Sequence, residues 1–156
     1  MKRQVNDVDR LIITGISMGG GLACLSFVDI NQAGIFPTVD VISFGAPRVG
    51  NKKWAEYVDE LTGYDARRVD IKGDPIPGMP TCLTLLCNYG HIGYKIECDL
   101  DTEICTQEER DGERETFMES VKRKREYYDT TDSVGSIIDH IEGYPKIYNF
   151  TLKVPA

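Results

Sequence analysis

The chain has 156 residues, of which 41% are hydrophobic and 28% charged, and its net charge is −7. This length suits one domain with a single core, and the composition is ordinary for a globular protein. The negative charge argues against nucleic acid as a partner, because phosphate backbones are bound through basic surfaces. No run of eighteen apolar residues occurs, so no transmembrane span is predicted. The polar first ten residues lack the apolar segment of a signal peptide.

The first motif follows a short apolar run, Leu11–Ile13, that is typical of a buried parallel strand. Residues 15–19 read GISMG and match the pattern G-x-S-x-G, with Ser17 at the centre. The mostly apolar stretch 20–30 then predicts a helix. Strand, tight turn and helix are the context of a nucleophile elbow, in which glycines on either side of the serine allow close backbone contacts. Ser17 is therefore a candidate nucleophile. A glycine-rich phosphate loop is the rival interpretation, but its lysine is missing.

The later segments alternate between strand and helix patterns. Residues 39–44 and 67–72 predict strands, and residues 51–61 predict an amphipathic helix. Its predicted apolar face contains Trp54, Tyr57, Val58 and Leu61. The stretch GDPIPGMP at 73–80 has too many prolines for either regular state. The alternation predicts an α/β fold with a mostly parallel sheet and flanking helices.

Candidate active groups follow from the position of the loops. In parallel sheets they lie at the carboxyl ends of the strands, which selects Ser17 and Asp74. A serine hydrolase also needs a histidine held by a carboxylate, and the chain has only His91 and His140. Both satisfy the order serine, carboxylate, histidine of this type of fold. The residues alone therefore leave two candidate bases.

The chain contains five cysteines, and one of them has no other cysteine close to it in the sequence. Cys24 lies on the predicted helix and is expected to be a buried thiol. The pairs 82/87 and 98/105 permit two local disulfides, which would indicate an oxidising compartment. No CxxC pair occurs, so no metal site is predicted. The acidic residues between 98 and 105 are expected to form a solvated loop. Two rival carboxylates, Asp65 and Asp70, are interpreted as a loop residue and a strand residue.

Four successive blocks of the sequence closely resemble the class 3 (fungal-type) triacylglycerol lipases. They read ITGISMGGGLA, VISFGAPRVGNKKWAEYV, RRVDIKGDPIPGMP and NYGHIGYKI. The most specific part is FGAPRVGN, residues 44–51. The later CDLDTEIC and DHIEGY are similar to the late cysteine pair and the histidine segment of the family. The resemblance covers about residues 8–105 and 133–148, and it implies an α/β-hydrolase fold.

The resemblance also implies roles for five residues. Ser17 would be the nucleophile, Asp74 the orienting acid and His140 the base. The backbone N–H of Met18 would belong to the oxyanion hole, and His91 would lie near the site without being the base. The implied function is carboxylic ester hydrolysis, with acylglycerols or related lipid esters as substrates. No cofactor and no metal are implied, and the expected partners are the lipid or small ester and, transiently, a lipid surface.

The chain departs from the family in the elbow and in its extent. Ile16 and Met18 stand where the family motif has histidine and leucine. Family members carry several strands, a lid helix and an oxyanion donor before the elbow. We therefore expect residues 1–156 to be the C-terminal part of a lipase domain, with an unpaired sheet edge. The family suggests a secreted parent. The second hypothesis is an inactive remnant that acts as an interaction module or needs a complementing chain.

Residues 106–132 have no counterpart in the family. This segment is dense in both charges, and four of its residues follow i+4 steps as on an exposed helix. They are Glu115, Glu119, Arg123 and Tyr127. The segment is predicted to be a solvated surface helix; the alternative is a helix that binds a partner or replaces a lid.

Overall fold

The structure is a computed structural model that describes residues 10–62, 66–80, 89–107 and 140–153. Within these ranges the strands are β1 (Leu11–Ile16), β2 (Val39–Phe44), β3 (Gly50–Asn51), β4 (Ala66–Ile71), β5 (Tyr89–Gly90), β6 (Tyr94–Asp99), β7 (Ile104–Gln107) and β8 (Thr151–Lys153). The helices are α1 (Met18–Ala33) and α2 (Lys52–Thr62), and 3₁₀ segments cover Ile76–Gly78 and Tyr144–Asn149. The charged segment beyond residue 107, both Cys82 and Cys87, and Asp65 lie outside the described residues.

Six of these strands form one sheet in the order β1-β2-β4-β6-β7-β8. The first four are parallel neighbours, β7 runs antiparallel to β6, and β8 runs parallel to β7. The carboxyl ends of β1, β2 and β4 therefore meet at one edge of the sheet. In the described part of the chain, β1 is the last strand on its side, and its residues Ile12 and Ile16 are exposed.

The larger core lies between the sheet and the two helices. Phe27 and Val58 are fully buried from α1 and α2, and Val41 contributes from β2. Helix α1 ends at Gly34, whose positive φ of 61° is the left-handed conformation that closes many helices. Helix α2 begins after Asn51, whose side-chain oxygen accepts the Trp54 N–H at 2.8 Å and caps the first turn.

A second core covers the opposite face of the sheet. It contains Val69, Ile96 and the disulfide-bonded Cys98 and Cys105, with Phe44, Ile147 and Phe150 packed against them. The alternation along β2 separates the two cores, because Val41 belongs to the first and its neighbour Ile42 to the second. The second core attaches the 3₁₀ segment Tyr144–Asn149 to the sheet, next to the acid loop described below.

The predicted helix at residues 51–61 is confirmed, but its predicted apolar face is wrong in part. Ala55, Val58 and Thr62 are the buried residues, whereas Tyr57 and Leu61 are 50% and 40% exposed. Small side chains bring α2 close to β3 and β5. The Tyr57 hydroxyl accepts a hydrogen bond from Gln32 of α1 at 3.2 Å, and this bond lies at the protein surface. The proline-rich stretch 73–80 also contains a 3₁₀ turn, Ile76–Gly78, that was not predicted.

Candidate active site

Ser17 occupies the turn between β1 and α1. Its φ of 54° and ψ of −127° are strained for a residue with a side chain, and such strain persists only where neighbouring contacts impose it. The Ser17 N–H donates to the Phe44 carbonyl of β2 at 2.8 Å. The Ser17 carbonyl accepts from the N–H groups of Gly20 and Gly21 at 3.0 and 3.2 Å. The predicted strand–turn–helix context is present, and it fixes the Ser17 backbone on both sides.

Glycines permit this turn, but only one of the two glycines in the motif is needed for close contacts. A Cβ on Gly15 would overlap the Gly19 carbonyl group. A Cβ on Gly19 would meet no atom within 4 Å, whereas one on Gly20 would lie 2.8 Å from the Ala46 Cβ. The close approach on the helix side therefore occurs at Gly20. The prediction that both glycines flanking the serine are needed for close contacts is correct for Gly15 and wrong for Gly19.

The first turn of α1 offers backbone donors beside Ser17. Met18 is the first helical residue, and its N–H is hydrogen-bonded to no acceptor in the described part of the chain. The Met18 side chain is 75% exposed. An N–H group in the first turn of a helix lies at the positive end of the helix dipole and can bind an anionic oxygen. This arrangement is compatible with the role that the resemblance implies for Met18.

Asp74 lies in the acid loop, which we define as residues 74–80 after β4. Its side chain is fully buried. The Oδ1 atom accepts the Ile76 N–H at 2.9 Å, and the Asp74 N–H donates to the Ile71 carbonyl at 3.0 Å. The Oδ2 atom contacts His140 Nδ1 at 2.6 Å and accepts the Tyr144 hydroxyl at 2.7 Å. Both carboxylate oxygens are therefore hydrogen-bonded, as a buried carboxylate requires.

His140 is brought to Asp74 from 66 positions further along the chain. Because a carboxylate only accepts hydrogen bonds, we assign the imidazole proton to Nδ1, which leaves Nε2 as the basic nitrogen. Nε2 is buried, and it has no hydrogen-bond partner among the described residues. Ser17 and His140 are thus not hydrogen-bonded to each other. The structure joins the predicted acid to one predicted base and leaves the second nitrogen of that base free.

Tyr144 is a member of this group that the sequence analysis missed. Its hydroxyl donates to Asp74 Oδ2 and accepts the Ile71 N–H at 3.2 Å. Its ring meets those of His140 and Phe44 edge to face, with centroid distances of 5.6 and 6.3 Å. Burial, followed by the charge of Asp74, raises the pKa of Tyr144, so its hydroxyl stays protonated. The available signal was its position four residues after His140 in DHIEGY.

His91, the other candidate base, contacts the acid loop at a backbone carbonyl. Its Nε2 lies 2.7 Å from the Pro77 carbonyl oxygen, so the ring donates to the backbone of the loop. The structure therefore brings His91 close to the site and binds its Nε2 to the backbone.

The rival carboxylate Asp70 is a buried strand residue, as predicted. Arg68 Nε donates to Asp70 Oδ2 at 2.8 Å. Burial raises the pKa of Asp70 to about 6, against the opposing charges of Arg68 and Lys95. Asp70 lies on β4, four residues before Asp74, and the Asp74 charge adds to the rise in the pKa of Asp70.

The cysteine predictions are confirmed where the structure describes them. Cys98 and Cys105 are register partners on β6 and β7 and form a disulfide. Cys24 is a buried free thiol on α1, and burial raises its pKa although Ser43 hydrogen-bonds to it. Between the paired cysteines, Asp99 binds Lys72 at 2.9 Å, which lowers the pKa of Asp99. In the described ranges, no group of three or more His, Cys, Asp or Glu residues is arranged to hold a metal ion.

The sequence matches one protein family over more than half of its length. Residues 1–84, more than half of the 156, match the family described as lipase (class 3). The chain belongs to the class 3 lipase family. The matched region of this lipase-family chain includes Ser17 and Asp74 and ends before His140.

Individual relatives agree with this membership. The chain is 32% identical over 108 residues to secreted mono- and diacylglycerol lipase 2 of Gibberella zeae, a match that covers 64% of this chain and 25% of that protein. The lipase of Rhizopus microsporus var. chinensis superposes with a TM-score of 0.50 at 33% identity, over 56% of this chain and 30% of that chain. A triacylglycerol lipase whose catalytic centre is a serine protease triad gives a TM-score of 0.50 at 29% identity, over 56% and 33%.

These matches cover about a quarter to a third of the length of each relative. The structural neighbours and the mostly parallel sheet agree with the predicted partial α/β-hydrolase fold. In the ranges that this class 3 lipase structure describes, neither helix is long and apolar enough to cross a membrane.

Proposed function

We propose that the protein is a carboxylic ester hydrolase that acts on acylglycerols or related lipid esters through Ser17, Asp74 and His140. The observation that carries the proposal is the buried contact of 2.6 Å between Asp74 Oδ2 and His140 Nδ1. This contact holds Nδ1 of the imidazole and leaves Nε2 available as a base. A serine nucleophile requires a histidine that is oriented in this way. Membership in the lipase family and the strained backbone of Ser17 give further support.

In the proposed reaction, Ser17 Oγ attacks the ester carbonyl carbon while His140 Nε2 takes its proton. The carboxylate of Asp74 orients the imidazole and stabilises the imidazolium. The Met18 N–H donates to the oxyanion of the tetrahedral intermediate. Nε2 then returns the proton to the departing alcohol, and water releases the acyl group from Ser17 by the same two steps. The missing hydrogen bond between Ser17 and His140 fits a free enzyme, in which catalytic hydrogen bonds often tighten only with substrate.

The proposed substrate class rests on relatives and on apolar side chains beside the reacting groups. Met18 follows Ser17 in the chain, Ile141 follows His140, and Leu22 lies one turn further along α1. These three side chains are 75%, 65% and 57% exposed. We propose that they contact the acyl chain or the lipid surface, since apolar area gains from leaving water. The matched relative from Gibberella zeae is named as a mono- and diacylglycerol lipase, so a diacylglycerol is the first substrate to test.

The test is hydrolysis of a diacylglycerol emulsion and of p-nitrophenyl butyrate by the purified protein and two variants. Ser17→Ala should lower kcat by at least about a thousandfold, because it removes the nucleophile. Ser26→Ala is the matched control, because Ser26 is an exposed serine of the same helix. Equal activity of Ser17→Ala and the wild-type protein would overturn the proposal.

The alternative function is an inactive interaction module or a chain that needs a complementing partner. It predicts a folded protein that hydrolyses neither ester alone and, in the second form, gains activity when the partner is added. The correspondence of residues 1–156 to the C-terminal part of a lipase domain stays a prediction, and the 25% share of the Gibberella zeae relative is compatible with it.

A further inference from the structure

The segment that joins β2 to β3 contacts the Ser17 turn, Tyr144 and the acid loop. We call residues 44–49 (FGAPRV) the bridging segment. Its first carbonyl, that of Phe44, accepts the Ser17 N–H at 2.8 Å. Further along, Ala46 and Val49 pack against α1 so closely that a Cβ on Gly20 or Gly21 would come within 2.9 Å of them. One end of the bridging segment therefore fixes the nucleophile and the start of its helix.

The same segment supports the base through Tyr144. A Cβ on Gly45 would lie 2.5 Å from the Tyr144 hydroxyl oxygen, so the ring packs directly on the Gly45 backbone. Gly45 has a positive φ of 55°, and its N–H donates to the Val69 carbonyl of β4 at 2.8 Å. The position of Tyr144, and with it the hydroxyl that binds Asp74, thus depends on this backbone.

Arg48 connects the bridging segment to the acid loop by three hydrogen bonds. Its backbone N–H donates to the Met79 carbonyl at 2.8 Å. Its Nη1 donates to the carbonyls of Gly78 at 2.9 Å and Pro80 at 3.4 Å. Arg48 therefore binds three consecutive carbonyls of the loop that begins with Asp74.

The composition of the acid loop explains why it needs an external donor. Pro75, Pro77 and Pro80 have no N–H, so the loop cannot form a regular ladder with its neighbours. Its internal backbone–backbone hydrogen bonds run from the Gly78 N–H to the Pro75 carbonyl and from the Met79 N–H to the Ile76 carbonyl, and they hold the 3₁₀ turn. A guanidinium carries five donors in a fixed plane and suits a row of backbone carbonyls.

We propose that Arg48 is a positioning residue: it sets the distance between Ser17 and the Asp74–His140 pair by clamping the acid loop to the segment that holds the elbow. It acts through Asp74, and it is not a catalytic residue. This inference rests on the proposed function. It also accounts for the most family-specific stretch of the sequence, FGAPRVGN, whose residues the reaction itself does not use.

The test compares Arg48→Met with Arg67→Met in the purified protein. Arg67 is the matched control, because it is also a partly exposed arginine, and its guanidinium lies 3.8 Å from the Asp40 carboxylate of β2 and not at the acid loop. With p-nitrophenyl butyrate, Arg48→Met should lower kcat about ten- to a hundredfold with KM changed less than about twofold, because small displacements of catalytic groups cost about this much. Arg67→Met should keep both constants. A kcat of Arg48→Met within twofold of the control would overturn the proposal.

A second readout separates this inference from the proposed function. In the ¹H NMR spectrum, the His140 Nδ1 proton that is bound to Asp74 should give a low-field signal, assigned by its loss in His140→Gln. Arg48→Met should shift or broaden this signal, and Arg67→Met should leave it in place. An unchanged signal in Arg48→Met would overturn the inference, whether or not the wild-type protein hydrolyses esters. Absence of hydrolysis in the wild-type protein would instead count against the proposed function.

Arg48→Lys provides the test if Arg48→Met does not fold. A lysine keeps the charge but replaces the planar guanidinium with a compact ammonium, so it cannot reproduce the same contacts. We expect a folded protein whose kcat is about fivefold lower than that of the wild-type protein and whose low-field signal is shifted. The loss of kcat is smaller than in Arg48→Met because fewer hydrogen bonds are lost. Wild-type values for both readouts would overturn the proposal.

Discussion

At the scale of single residues, Asp74 Oδ2 is shared between His140 and Tyr144, with contacts of 2.6 and 2.7 Å. The tyrosine hydroxyl satisfies one acceptor of the buried carboxylate, and it helps to hold the carboxylate in the orientation that the imidazole requires. Its own proton is held by burial and by the negative charge it faces. The alignment of Asp74 and His140 therefore depends on Tyr144.

We predict that Tyr144→Phe lowers kcat about tenfold with little change in KM, because it removes one charge-assisted hydrogen bond from the acid. Tyr148→Phe is the control, since Tyr148 belongs to the same 3₁₀ segment but is 82% exposed. Steady-state hydrolysis of p-nitrophenyl butyrate measures both constants. Equal kcat values for the two variants would contradict the role assigned to the hydroxyl.

Asp70 predicts a dependence of stability on pH. The pKa of Asp70 is about 6 in the folded protein, above the ordinary value of 3.8 for an aspartate, so between these two values the folded state binds a proton that the unfolded state releases. The contribution of Asp70 to stability therefore falls as pH rises through this window. Relative to Asp70→Asn, the free energy of unfolding should drop by about 2 kcal/mol from about pH 4.5 to about pH 7. Urea denaturation at both values measures this, and a rise would contradict the prediction.

Residue chemistry could be predicted where a motif states it. Ser17, Asp74 and His140 were selected from the elbow pattern, the loop position and the family blocks. Tyr144 was missed because its role depends on the packing of its ring against Gly45, which its position in DHIEGY does not state by itself. The choice between His91 and His140 was open from spacing alone, since both follow Asp74.

At the scale of elements, the elbow depends on the crossing of β1 and α1. The backbone of Gly15 touches the backbone of Gly19, and Gly20 touches Ala46. A side chain at the first of these positions would push α1 away from the strand, since backbone atoms cannot move aside as a flexible side chain can. The G-x-S-x-G pattern thus contains one glycine required by packing and one that is not.

We predict opposite effects for alanine at these two glycines. Gly15→Ala should lower the free energy of unfolding by more than about 3 kcal/mol, because its Cβ overlaps the Gly19 carbonyl. Gly19→Ala should be neutral or stabilising by up to about 1 kcal/mol, because its Cβ enters open space in a helix. Urea denaturation of both variants checks this. A stability loss at Gly19 equal to that at Gly15 would contradict the description of the turn.

The elements themselves were largely predictable from periodicity. The strand Val39–Phe44 has the predicted bounds, and β1, α1, α2 and β4 lie within a few residues of theirs. The buried face of α2 was predictable only in part: Val58 is buried as predicted, whereas Tyr57 and Leu61 look apolar in sequence but are exposed, and Ala55 is buried in the tight contact with β5. Strands of two or three residues, such as β5 and β8, are too short to show a period.

At the scale of the whole molecule, parallel pairing sets the layout of the site. Because β1, β2 and β4 are neighbours in the sheet, Ser17, the bridging segment and Asp74 all follow strand ends at one edge. His140 is brought to this edge with the segment that follows it, Tyr144–Asn149, which packs in the second core beside the Cys98–Cys105 disulfide. The alternation of strands and helices predicted the parallel part of the sheet. The antiparallel pairing of β7 with β6 and the addition of β8 beside β7 depend on long-range contacts.

The central claim is that Ser17 is a nucleophile activated by the Asp74–His140 pair. The most direct measurement is reaction of the purified protein with a fluorophosphonate probe, followed by mass spectrometry of the labelled peptide. We expect an adduct on Ser17 in the wild-type protein, formed at least about a hundredfold more slowly in His140→Gln, since general base catalysis contributes on this order. A folded protein that gives no adduct, an adduct on another serine, or equal labelling of His140→Gln would contradict it.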